Sequence, residues 1–130
     1  VWAVAALAAA GCSAWTGAPR RAASEWDTTF QRMHLSRLLS SVEGRYDYHE
    51  GTLSGTLKGR EFEGWWREDD DTKECGPGEE WTGPLFLTFS EDGKSFAGVY
   101  GKCSRGERDR ATLDPERRWT GRLASGDPIR

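Results

Sequence analysis

The densest group of side chains able to do chemistry is Glu68-Asp69-Asp70-Asp71, with Glu74, Glu79 and Glu80 just beyond it. Oxygen ligands at alternate positions can wrap a calcium ion, and paired carboxylates can act as acid and base in glycoside cleavage. Asp69, Asp71 and Glu74 are the oxygens a calcium ion would take. Adjacent aspartates, however, lack the glycine-punctuated spacing of a calcium loop, so the run reads as a solvated acidic loop. No metal or cofactor is expected. No Ser-His-Asp order or phosphate-cradling glycine loop is visible, and His34 and His49 stand alone, so the chain is not expected to be an enzyme. A carbohydrate-active hydrolase using the acidic loop is the least favoured reading.

The seven tryptophans are the other chemical resource. Flat rings stack on sugar faces, and an indole suits a site with one wet edge. Alternation along the chain separates them: Trp66 and Trp119 share the phase of their apolar neighbours and read as core, whereas Trp65 is out of phase and should point outward. Trp81, beside Gly83 and Pro84, is expected at the mouth of a strand. Trp65, Trp81 and the acidic loop could together form a patch for a glycan or a protein. The alternative is that the long loop folds back and covers Trp65.

The chain begins VWAVAALAAAG, an uncharged apolar run too short to span a bilayer as a helix. Residues 1–11 read as the hydrophobic part of an export signal, truncated at its start. The run ends in Ala9-Ala10-Gly11-Cys12, which resembles the lipobox of bacterial lipoproteins. There, small residues admit the peptidase and the cysteine thiol takes the lipid. The resemblance implies an anchor and tether over residues 12–25 and membrane attachment through lipid on Cys12. It also implies placement at the outer membrane or cell surface, because Ser13 is not the Asp that retains such proteins at an inner membrane. An ordinary signal peptide cut near Ala10 or Ala14 would leave the chain periplasmic or secreted. With Cys12 assigned to lipid, Cys75 and Cys103 remain as a pair in an oxidising compartment, the setting for a disulfide. Such a bridge would contribute roughly 3 kcal/mol. Neither histidine lies at zinc-ligand spacing from a cysteine.

The elements that must position these groups are announced by glycine. Val42-x-Gly44-x-Tyr46, Leu53-x-Gly55-x-Leu57, Phe62-x-Gly64-x-Trp66, Phe96-x-Gly98-x-Tyr100 and Trp119-x-Gly121-x-Leu123 share one pattern. It is strand alternation with the glycine on the apolar face, where a missing side chain lets a strand bend or a ring lie over the backbone. Strands are expected over residues 30–35, 42–48, 52–57, 61–67, 85–89, 95–101 and 119–123, and the first of these could instead be a helical turn through Leu35, Leu38, Leu39 and Val42. Asp92-Gly93 is the strongest hairpin signal. The predicted fold is all-β: a single antiparallel meander of about seven strands over residues 26–123, coiled into a small barrel or barrel-like sheet, with 124–130 as a frayed tail.

Phe62-Glu63-Gly64-Trp65-Trp66 resembles the start of a MORN repeat, and the whole pattern resembles a meander found in exported bacterial proteins. More loosely it is similar to avidin-like and lipocalin-like barrels, which implies a barrel able to carry a small ligand. A net charge of −3 and a pI near 5.4 argue against a nucleic-acid partner, because phosphate binding wants a basic face. The expected role is an extracytoplasmic, lipid-anchored binding or scaffold domain, with a ligand-carrying barrel as the alternative.

Overall fold

Alternation at period two marks the strands, and turns too short for a crossover return most of them antiparallel beside the last. The structure, a computed structural model, describes residues 19–69 and 75–130. The strands are β1 (Ala22–Thr28), β2 (Gln31–Leu38), β3 (Ser41–Tyr46), β4 (Gly51–Lys58), β5 (Glu61–Arg67), β6 (Thr82–Phe89), β7 (Ser95–Tyr100) and β8 (Arg118–Gly126). Each pairs with its neighbour in sequence, and β8 closes on β1, leaving no free sheet edge. The fold is an all-β, up-and-down closed barrel.

The strand beyond the expected seven is β1, which takes residues assigned above to the tether. Ala22, Ala23 and Ser24 carry no hydrophobic alternation, so only Trp26 marks its inner face. Trp26 is fully buried and its Nε1 donates to Ser24 Oγ at 2.8 Å. Residues 31–38 are strand rather than helical turn: Met33 and Leu35 point inward, while Leu39 is 69% exposed in the turn that follows. The tail is not frayed. Strand β8 runs to Gly126, the Asp127 and Ile129 N–H groups donate to the Ala23 and Gly93 carbonyls, and Ile129 is buried in the core.

All the glycines of the repeated pattern lie in phase with buried neighbours, as the sequence predicts. They act in two ways. Gly121 lies under the ring of Phe96, whereas Gly55 and Gly64 face each other across β4 and β5 where the two backbones approach closely. Inside, Trp26, Phe89 and Phe96 pack ring against ring at 5.4–5.6 Å, and Leu35, Val42, Leu57, Phe62 and Leu87 fill the barrel. Outward residues such as Glu43, Glu63, Arg67 and Arg122 are exposed, so the wall faces water, the inverse of a lipid-facing barrel.

The two ends differ. The turns β2–β3, β4–β5 and β6–β7 are short and share one end with the tail that carries Ile129. The turns β1–β2 and β3–β4 and the two long connections, 68–81 and 101–117, share the other.

Candidate ligand-binding site

Strand phase carries large side chains past the last ladder pairs into the loop end. Trp66 and Glu68 continue the inward series of Phe62 and Gly64, and Trp81 precedes the inward series of Gly83, Leu85 and Leu87. Tyr100 ends β7 and Trp119 is the second residue of β8, while Phe30 and Tyr48 arrive from turns. With Lys102 these residues line a cavity of about 120 Å³. Its rings stand nearly at right angles: Trp66 to Trp81 at 84°, Trp66 to Tyr100 at 88° and Tyr100 to Trp119 at 86°. Edge-to-face packing is the favoured arrangement of ring quadrupoles. Here it builds the walls of a box.

Among the described residues, the box has one carboxylate in its wall. Glu68 is only 9% exposed. Tyr46 Oη donates to Glu68 Oε2 at 2.7 Å and Trp81 Nε1 donates to Oε1 at 3.1 Å. Both oxygens accept, as an ionised carboxylate does. Trp66 Nε1 donates to the Gly101 carbonyl at 2.9 Å, tying β5 to the start of the β7–β8 connection. Trp119 Nε1 is buried with no hydrogen-bond partner among the described residues. The rings of Phe30 and Tyr46 pack edge to face with Trp119 at 4.6 and 4.9 Å. The Lys102 ammonium sits over the Trp81 ring, 5.5 Å from its centroid.

Burial, then the hydrogen bond to Glu68 and its negative charge, hold the Tyr46 phenol well above the ordinary tyrosine range. Burial also raises Tyr100. A phenol whose folded pKa is raised binds its proton more tightly in the native state. Its contribution is full below the unfolded tyrosine value of about 10 and is lost as pH climbs above it. Urea melts should therefore show stability falling as pH rises beyond about 10, and Tyr46→Phe should flatten that fall. An unchanged slope in the variant would place the alkaline sensitivity elsewhere.

No family model, curated protein or solved structure matches this chain. The chemistry of the site rests on its own geometry.

Cys75 and Cys103 are disulfide-bonded, with Cα atoms 5.4 Å apart. The bridge joins the two long connections at the cavity end. Glu79 lies beside the pair, but bonded sulfurs offer no thiolate to a metal. Asp69 is exposed and its N–H donates to the His49 carbonyl. Asp71 and Glu74, the other calcium candidates, lie outside the described residues, as does Cys12.

Trp65 points outward as its phase requires and is 39% exposed. It does not share a patch with Trp81. The Arg108 guanidinium lies 5.2 Å from the Trp65 ring, so the β7–β8 connection reaches over this ring. Arg110 fixes that connection to the outer wall through Glu61 at 3.1 Å and lies over Phe86. Trp81 instead belongs to the cavity wall, against Trp66 and Glu68.

Glu68 is the site residue that composition hides. In a run of four acidic residues it reads as solvated, yet the series 62, 64, 66 puts 68 on the inner face. Extending the strand phase by one step finds it. Tyr100 and Trp81 follow from the same extension in β7 and β6. Phe30, Tyr48 and Lys102 lie in turns, where no period applies.

Proposed function

We propose that this chain is an extracytoplasmic, lipid-anchored binding barrel that holds a compact small molecule in the aromatic cavity at its loop end and does no chemistry on it. The observation that carries this reading is the cavity of about 120 Å³ walled by perpendicular rings with one buried carboxylate. Apolar walls with a few placed polar groups are the usual build of a small-molecule site. Eight-stranded barrels are wide enough to be packed or to hold one small ligand. Here the closed end is packed by Trp26, Phe89 and Phe96, and the space is at the mouth. A volume near 120 Å³ suits a guest slightly smaller than a six-carbon ring, for which about 150 Å³ suffices.

The location is supported by the lipobox-like Ala9-Ala10-Gly11-Cys12 and by the Cys75–Cys103 pair, which suits an oxidising compartment. When the chain is expressed for export in a bacterium, fatty-acid label should enter the protein, and Cys12→Ser should abolish it. Equal labelling of both forms, or of neither, would remove the anchor.

A melting screen against compact organic molecules tests the binding role, since a guest that binds only the folded state raises the melting temperature. At least one should stabilise the protein, and Trp81→Ala, which removes a cavity wall, should cancel the effect. Trp65→Ala, on the outer wall, should leave it intact. The reading fails if no molecule stabilises the protein or if the effect follows Trp65 instead.

A further inference from the structure

Resting in part on the reading of Cys12 as the anchor, we infer that the closed end of the barrel docks on an anionic phospholipid surface, with Leu39 as the side chain that enters it. Leu39 is the most exposed large apolar residue among those described, at 69%, and it stands in the two-residue turn between β2 and β3. Its φ of 55° lies in the left-handed region, where a turn favours Gly or Asn and a leucine is strained. The fold gains neither burial nor backbone ease from a leucine here. A lone exposed leucine is ordinary on a protein surface, but two further features share its end.

Basic side chains supply the first. Arg20 and Arg21 stand where β1 begins, Lys58 and Arg60 flank Gly59 in the β4–β5 turn, Lys94 lies in the β6–β7 turn and Arg130 in the tail, all exposed. The acidic residues of this end are fewer. Glu61 is held by Arg110 and the Thr88 hydroxyl, and Asp92 by the Ser90 hydroxyl and the Lys94 N–H, leaving Glu91 and Asp127 on the rim. Glu61 lies near Arg60, and Asp92 near Lys94 and Arg130, so each offsets part of the basic charge. The balance at this end is still positive, in a chain whose net charge is −3, and a basic rim draws anionic headgroups. The tether supplies the second. The Ala22–Arg37 pairing puts the start of β1 beside the Leu39 turn. From Cys12 to Pro19, the first described residue, the chain reaches at most about 25 Å when fully extended. A lipid on Cys12 therefore keeps this end beside the bilayer and turns the mouth of the cavity away from it.

Flotation of the full chain carrying Cys12→Ser with vesicles tests the docking without any lipid on the protein. Its failure is thus separate from failure of the anchor, which the fatty-acid label reads. Vesicles containing phosphatidylglycerol should bind more tightly than vesicles of phosphatidylcholine alone, the baseline for the apolar run at residues 1–11. Lys58→Glu should weaken binding to the anionic vesicles about fivefold or more, the scale of one basic residue near such a surface. Arg45→Glu, exposed on the barrel wall, should change it much less. Leu39→Gly should weaken it about tenfold, the scale of one leucine leaving an apolar environment. Its melting temperature should stay level or rise, because glycine suits a φ of 55°. Equal binding to the two vesicle types, equal losses from Lys58→Glu and Arg45→Glu, or unchanged affinity in Leu39→Gly would each overturn the docking. So would a lower melting temperature in Leu39→Gly, which would make the leucine structural.

Discussion

Gly64→Val should destabilise the barrel by about 3 kcal/mol or more, at the upper end of overpacking costs. A side chain at Gly64 would collide with the Ser54 carbonyl oxygen, and its first carbon would lie 2.8 Å from Gly55 Cα and 2.7 Å from the tip of the Phe62 ring. Two of those three obstacles are backbone of the neighbouring strand, which cannot rotate away. Relief would require β4 and β5 to part where they pair Gly55 with Gly64. Glu63→Val, one residue away on the exposed face, should change stability by only a few tenths of a kcal/mol. Valine suits a strand at either position, so local preference cannot produce the contrast. Gly98 repeats it: a side chain there would strike the Phe86 carbonyl and lie 2.8 Å from Leu87 Cα, while Ala97 beside it is exposed. Urea melts of Gly64→Val and Glu63→Val decide the matter, and equal, small effects would mean that the strands do not approach in this way.

Glu68→Leu should cost about 3 kcal/mol, for a different reason. The substitution leaves the Tyr46 hydroxyl and the Trp81 indole N–H facing an apolar side chain, and each buried donor left unmet costs about 1–3 kcal/mol. Asp69→Leu, next in sequence but exposed, should stay within about half a kcal/mol. Tyr46→Phe in the Glu68→Leu background should recover part of the loss, because it removes one of the orphaned donors. Additive effects in this double-mutant cycle would contradict the hydrogen bond between them. Glu68→Leu alone should ease the alkaline titration of Tyr46 toward the ordinary range, since two of the causes that raise it come from Glu68.

Much of the barrel was legible because its glycines recur on the apolar face, and the strands β3 to β8 fall close to where period-two alternation puts them. Closure was not fully legible. It depends on β1, whose inward positions before Trp26 include Ser24, a residue that carries no hydrophobic signal although it is buried and accepts from the indole. The tail was misread because Ile129 stands alone after a polar stretch, and only the Gly93 turn across the barrel explains its burial. In the site, the outward Trp65 and inward Trp66 followed from phase. That Trp81 lines the cavity while Trp65 lies on the outer wall was not legible, because Trp81 precedes its strand and carries no phase of its own. The inward Glu68 was masked by three acidic neighbours, for composition averages over a run whereas a strand treats alternate residues differently.

The indole N–H resonances give the most direct test that the loop-end cavity is where a guest sits. Trp66, Trp81 and Trp119 line the cavity, whereas Trp26 is buried with Phe89 and Phe96. In nitrogen-resolved spectra of the labelled protein, a compact guest that raises the melting temperature should shift the first three together along one saturable curve and leave Trp26 and the outward Trp65 in place. Trp119, whose N–H has no partner among the described residues, reports on the wall nearest β8. Shifts confined to Trp65, or spread equally over Trp26, Trp65, Trp66, Trp81 and Trp119, would contradict a binding site at the mouth of the barrel.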